Sequence, residues 1–531
     1  GPTVWLFLMT GSALADRLER FLQGTWTGAK RIQGLQGGAR AYLLSLVAAP
    51  ARRPILIIAA GAREAESLFD DLNFFLGEED SPVPLRRRVQ LFPSWEVLPF
   101  EKLSPHPENI AGRLEGLYRL VEDPAPILIA TPAALMQRVI PKESLKRSYL
   151  YLVAGEELQR DSLLQHLVAW GFQNVPLVEE RGDFSLRGGI VDIFSPGYGR
   201  PLRLEFDGDR LESIREFNPS TQRSEWLQEE MLLLPMKEFS LKRAGLDEAL
   251  RRLEQRAAEL EVDRHEKNSL LESLRAGIAV PGMEFLLPYF SSALVPVFAY
   301  LPAGTLLWLD GADRVEAEAE RFAQLAWERN QSAREEHRLA APVEALYLNE
   351  HEWRDALAPF SSVHAESLTV MAAPERAQET TLTVESYLTS DIRQETALHG
   401  KDASLAPLVE RLKSWQAEKV IFVAPTKGDG GRLVELLAHY DLPVALIEES
   451  IPAVLQRDDL TRAIVCGHLN HSFRLPEAHL VVVTFDEIFG TRKRQPTAAT
   501  KNYPSHFLTS LSELKQDDFV VHLDHGIGVY R

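Results

Sequence analysis

The chain has 531 residues, a formal net charge of −18, 45% hydrophobic and 25% charged residues, and a single cysteine, Cys466. That length exceeds one compact core, so about three to five domains are expected. One cysteine excludes a disulfide framework and a cysteine-built zinc site and fits a reducing, cytoplasmic setting; the acidic balance disfavours a surface whose main task is to track a phosphate backbone. Local basic patches remain compatible with it, and protein partners become the more natural ligands.

The apolar run VWLFLM at 4–9 is far shorter than the ~20 residues a spanning helix needs, and no basic segment precedes it as in a signal peptide. The leading Gly-Pro reads as a protease scar, with Met9 as a native start. Next comes GLQGGARA at 34–41, which has the outline of a phosphate-binding loop. A working loop reads GxxxxGK[ST]: glycines admit the phosphates to the backbone amides, the lysine reaches the β and γ oxygens, and the hydroxyl holds magnesium. In that register Gly34 is the first glycine, with Gly37 and Gly38 inside the loop. Ala39 replaces the second glycine, Arg40 the lysine and Ala41 the hydroxyl residue. A plain helix-entry turn is the favoured reading, and the loop is expected to be inactive.

Beyond it, PILIIAA (54–60), APILIAT (125–131), LLWLD (306–310), VIFVAP (420–425) and LVVVTF (480–485) read as buried parallel strands. REAESLFDDLNFFL (63–76) reads as a helix, as does LDEALRRLEQRAAELEVDRHEKNSLLESLRAG (246–277), one long helix ending on a capping Gly277. This is α/β architecture in at least two places. Residues 136–221 break the rhythm: one helix (EELQRDSLLQHLVAWG) is followed by FSLRGGIVDIFSP, RPLRLEFDGD and LESIREFN. These runs alternate apolar and polar residues between Gly, Pro and Asp, the pattern of an antiparallel meander packed on a helix.

Two more imitations of nucleotide chemistry appear late in the chain. TKGDGGRLVELL (426–437) lacks the Gly-Lys-Ser/Thr core, and a turn into a helix accounts for its glycines. LVVVTFDEIFG ends a strand on Asp486 and Glu487, read as surface residues. His522 and His525 lack further ligands nearby, so no metal site is expected. Linkers are expected at 361–378 and, around Arg492, Lys493 and Arg494, at 491–506. VVHLDHGIGVYR at the C-terminal end reads as part of a β-hairpin, and the sequence is read as a truncation.

At ERGDFSLRGGIVDIFSPGYGRPLRLEFDGDRLESIREFNPSTQRS, 180–224, the chain closely resembles the segment shared by the excision-repair protein UvrB and the bacterial transcription-repair coupling factors (Mfd). FPSWEVLPFEKLSPHPENIAGRLEGLYRL (92–120) is similar to the coupling-factor version of the first domain, where UvrB would carry a tyrosine-rich DNA-clamping hairpin. LSELKQDDFVVHLDHGIGVYR (511–531) resembles the opening of that family's RNA-polymerase-interaction domain, a small β-barrel also seen in CarD-type regulators.

The resemblance implies an α/β multidomain chain. A UvrB-like, degenerate helicase-type α/β domain spans 10–135 and 222–360 around an inserted small α+β, UvrA-binding domain at 136–221. A second small α/β domain follows at 379–490, and 507–531 begins the polymerase-interaction barrel. It implies a non-catalytic adaptor with no cofactor of its own. ATP, magnesium, translocase activity and most contact with duplex DNA would belong to motor domains beyond Arg531. Its partners would be UvrA and, through the last segment, the RNA polymerase β subunit; no membrane is involved.

For UvrA contact the resemblance implies Arg187 first, then Arg181, Phe184 and Gln173; Ser185 stands where a UvrB presents a further arginine. The competing reading of Arg187 is a salt bridge inside the sheet, to Asp183 or Asp192, while Gly188 and Gly189 read as a bulge or close packing. As an adaptor residue, Arg187→Glu should weaken UvrA capture without lowering Tm. The alternative function is a UvrB-like, nucleotide-dependent DNA-damage-binding ATPase with a divergent P-loop.

Overall fold

The computed structural model describes residues 13–50, 53–78, 88–238, 243–291, 293–368, 380–389, 405–489, 519–522 and 526–529. Its largest element is a seven-stranded sheet, all parallel. The strands run in the order Thr381–Thr383, Ala29–Gln33, Ser361–Glu366, Leu306–Asp310, Ile55–Ala59, Ile127–Ala130, Val89–Phe92. Helices cover both faces, so the central strands bury alternate residues in opposite directions. Ile55, Ile57, Trp308 and Val363 enter one core with helices Ala39–Ala48 and Ala62–Leu76. Leu56, Ile58, Leu307 and Leu309 enter the other with helices Pro107–Glu122 and Ala312–Glu335.

The linker expected at 361–378 therefore begins with a strand instead. Ser361–Glu366 pairs with strands on both sides, and Thr381–Thr383 joins this same sheet rather than the small α/β domain assigned to 379–490. Residues 246–277 form two helices, Arg243–Glu259 and Arg264–Arg275, not one. Asp263 caps the second by accepting from the amides of His265 and Glu266 at 2.8 and 3.1 Å, a local bond that competes with helix continuation. Gly277 does end the pair, at φ +74°.

The inserted unit contains a six-stranded sheet, ordered Ser224–Gln228, Arg210–Phe217, Leu202–Asp207, Ile190–Ile193, Asp183–Arg187, Gln173–Asn174. Its neighbours run antiparallel except the last pair, and helix Arg160–Ala169 packs below. Strand Glu230–Leu233 returns to pair antiparallel with Leu150–Val153 and closes the unit. Its elements thus run from 150 to 233 rather than 136 to 221: Met136, Val139 and Ile140 are buried in the core of the large domain.

A five-stranded sheet forms the remaining α/β unit, ordered Ala445–Ile447, Arg462–Cys466, Lys419–Ala424, Leu480–Thr484, Phe473–Leu475, with only the last strand antiparallel. One of its faces packs on helices Ala406–Ser414 and Lys427–Ala438. The other, through Ile421, Val423, Val465, Val482 and Phe473, merges into the first core of the large domain. At the C-terminal end Phe519–His522 pairs antiparallel with Gly526–Val529; the side chains of this hairpin, with His525 and the 491–506 linker, lie outside the described residues.

Candidate docking face

In the inserted unit Arg187 pairs with Ile190 across a two-residue turn, Gly188-Gly189. Gly188 sits at φ +61°, and a methyl on Gly189 would fall 2.7 Å from the carbonyl oxygen of Phe206, so the pair makes a tight turn closely packed on the next hairpin. Strand periodicity then sorts the side chains. Phe184, Val191, Ile193 and Leu204 point toward helix Arg160–Ala169 and form the core. Arg187, Asp192, Arg203, Glu205, Ser213, Arg215 and Leu227 follow from the paired registers of the opposite face.

That opposite face is organised by one carboxylate. Asp192 is fully buried and accepts from Arg187 Nη2 at 2.5 Å, from Arg203 Nε at 2.7 Å and from Arg203 Nη2 at 2.9 Å. Arg203 makes the forked contact, lies over the Phe217 ring at 4.6 Å, and is held above the ordinary arginine range chiefly by its hydrogen bond to Asp192. Arg187 keeps 48% of its side chain exposed, so a buried acceptor holds one terminal nitrogen of its guanidinium while the side chain stays half open. Beside it Glu205 accepts from Ser213 Oγ at 2.6 Å and lies 3.7 Å from Arg215. On the edge strand Trp226 and Leu227 are 64% and 66% exposed.

Of the residues expected to meet UvrA, Arg187 lies on this face and Gln173 is exposed on the far edge strand. Phe184 is 2% exposed in the core, because it alternates with Arg187 to the other side; its ring has no place on the docking face. Arg181 is committed elsewhere: it ion-pairs with Glu108 of helix Pro107–Glu122, donates to the Tyr198 carbonyl at 3.2 Å and lies over Phe194 at 5.0 Å. It ties the inserted unit to the large domain. Sequence reasoning did not single out Arg203, Glu205, Arg215 or Leu227, although the alternation of apolar and polar residues in LRLEF (202–206) and SIR (213–215) carried the signal for the first three.

The loop 34–41 does join a strand, Ala29–Gln33, to a helix, Ala39–Ala48. Gly34 and Gly37 have φ of +86° and +52°. Two of its amides are already used: Leu35 N donates to the Glu366 carbonyl at 3.1 Å and Gln36 N to Ser386 Oγ at 2.7 Å. Arg40, in the lysine position, pairs at 2.8 Å with buried Asp310 at the end of strand Leu306–Asp310, two places along the sheet from Ala29–Gln33. Burial pushes the Asp310 carboxyl up, and the Arg40 charge opposes that. Ala39 and Ala41 are buried in the core.

The second imitation, 426–437, is the N-cap and nearly all of helix Lys427–Ala438, with Thr426 Oγ accepting from Asp429 N at 3.1 Å. Its glycines lie inside the helix rather than in a turn. A methyl on Gly430 would fall 2.9 Å from Leu446, so close packing against the sheet accounts for that one. Asp486 is exposed and Glu487 half-buried on the short helix Phe485–Phe489. Among the described residues no group of three or more His, Cys, Asp or Glu could hold a metal ion. Nor is any described helix long and apolar enough to cross a membrane.

A family profile described as the UvrB interaction domain matches residues 150–239, the unit that carries this face. Over 94% of its length the chain is 33% identical to the transcription-repair-coupling factor of Myxococcus xanthus. It is 29% identical to that of Escherichia coli K12 over 95% of the chain, and 28% identical to that of Bacillus subtilis over 97%. The chain belongs to the transcription-repair-coupling factor family. It spans 42%, 42% and 43% of those relatives' lengths, so it corresponds to one part of a coupling factor.

Proposed function

We propose that the chain is the non-catalytic adaptor region of a transcription-repair-coupling factor, and that the sheet face around Arg187 captures UvrA. The observation that carries this is the Arg187–Asp192–Arg203 ladder: a buried carboxylate holding two arginines in fixed geometry on an exposed face, within the segment matched by the UvrB interaction domain. Pre-oriented arginines suit a docking surface because little side-chain freedom is lost on binding. Leu227 adds exposed apolar area on the same face, at the edge of the sheet.

In this proposal the whole factor displaces RNA polymerase stalled at a lesion. Residues 507–531 open the contact with the polymerase β subunit, and ATP, magnesium and duplex DNA engage motor domains outside this sequence. Ala39 and Ala41 within the loop, and the use of the Leu35 and Gln36 amides by Glu366 and Ser386, support a region without nucleotide chemistry. The test is capture of purified UvrA by the immobilised chain, with Arg215→Glu and Leu227→Asp combined as the comparison. Capture by the native chain and its loss in the variant are expected. Failure to capture, undiminished capture by the variant, or magnesium-dependent ATP turnover by the chain would each contradict the proposal.

A further inference from the structure

We infer that the second α/β unit, 405–489, is a built-in occupant of the vacated nucleotide loop, its Asn470–Phe473 turn standing where phosphate would enter. This inference rests on the loop and its neighbours and is independent of UvrA docking. The glycines state it most directly. A methyl on Gly37 would fall 2.5 Å from the Ser472 carbonyl oxygen, and one on Gly38 would fall 2.4 Å from that of His471 and 2.8 Å from the Phe473 ring. Both glycines thus serve a close backbone approach, as in a phosphate loop, but what approaches is the chain itself. The approaching atoms are also chemically suited: carbonyl oxygens carry partial negative charge, and they stand at the start of helix Ala39–Ala48, where the helix dipole is positive.

The turn is held from three sides. From helix Ala62–Leu76, Asp71 is 3% exposed and accepts from Asn470 N at 2.7 Å and Asn470 Nδ2 at 2.9 Å. From within its own sheet, Ser472 Oγ accepts from Thr484 N at 2.9 Å. Between the units Phe473 lies 5.9 Å from Tyr42 and 6.0 Å from Phe75, rings that themselves meet at 5.4 Å. Ser386 closes the mouth of the loop, donating to the Gly34 carbonyl at 2.6 Å while accepting from Gln36 N. A loop whose nucleotide residues have gone keeps its glycines because this unit packs on them, and the two sheets move as one body.

The test is amide hydrogen exchange of the full chain. Asp71→Ala leaves the loop residues intact and removes the anchor of the turn; it should speed exchange about tenfold in 470–475 and in 34–41 together, with 150–233 unchanged. Gly38→Ala should loosen the same two segments from the other side. If Gly38→Ala does not fold, Asp71→Ala decides. Loosening of 470–475 with 34–41 at the native rate would overturn the inference. So would protection of 34–41 by ATP and magnesium in either the native chain or Asp71→Ala.

Discussion

Arg187 and Arg203 share one buried carboxylate, and their different exposure decides what each substitution does. Arg203 is 14% exposed; Arg203→Ala leaves Asp192 buried with a single partner, and breaking a buried pair typically costs about 3–5 kcal/mol. A clear fall in Tm is expected, read by thermal unfolding. Arg187 is half exposed, so Arg187→Ala should cost no more than about 1 kcal/mol, while removing the proposed docking cation. Arg187→Glu is the poorer test than the sequence suggests, because its carboxylate would face Asp192 and lower Tm as well. At the loop, restoring the phosphate-binding letters with Ala39→Gly, Arg40→Lys and Ala41→Ser should produce no ATP-dependent rise in Tm. The His471 and Ser472 carbonyls still close on Gly37 and Gly38. The sequence discloses the loss of chemistry at 39–41, but not the occupant, since Gly37 meets Ser472, 435 residues downstream, a contact that leaves no local pattern.

Elements were legible where both faces of a strand are apolar. LLWLD and LVVVT are buried at every position and are strands as expected, while the Phe485 that follows opens a short helix. SSVHAE at 361–366 was read as linker, yet it is third in the large sheet: Val363 and Ala365 enter the core, while Ser362, His364 and Glu366 alternate to a half-exposed side. Only a partner strand makes such a segment regular, and partners are set by tertiary structure. His364 supplies a test. Burial first, and Arg31 second, push its pKa below the ordinary histidine value; Asp313 opposes them. The folded state therefore favours the neutral ring, so its contribution is full above about pH 6.5, the unfolded value, and is lost as pH falls toward the lower folded value. Against the native chain, His364→Gln should lose relative stability least at acid pH, which denaturant titrations between about pH 7 and 5 would show. In helix Pro107–Glu122, a methyl on Gly116 would fall 2.6 Å from the Phe92 ring. Gly116→Ala should then destabilise by about 1–3 kcal/mol despite its better helix propensity, measured by the same titrations.

For the whole molecule, the alternation of strand and helix patterns revealed mixed α/β architecture, and the motif at 180–224 revealed the inserted unit. Boundaries were harder. The inserted unit closes through Glu230–Leu233 on Leu150–Val153, a pairing that sets Leu150 against Leu233, 83 residues on, and neither strand alone shows it. Of the residues expected to meet UvrA, Arg187 is half exposed on the candidate face, while Arg181 and Phe184 are separated from it by contacts that only packing defines. The most direct measurement is equilibrium binding of UvrA to the full chain, comparing native protein with Arg187→Ala and Arg187→Lys and recording Tm for each. The native chain should bind without ATP, and Arg187→Ala should bind at least about tenfold more weakly with nearly unchanged Tm, about 1.4 kcal/mol of affinity. Arg187→Lys should fall between. Equal binding by the native and Arg187→Ala chains would contradict the account.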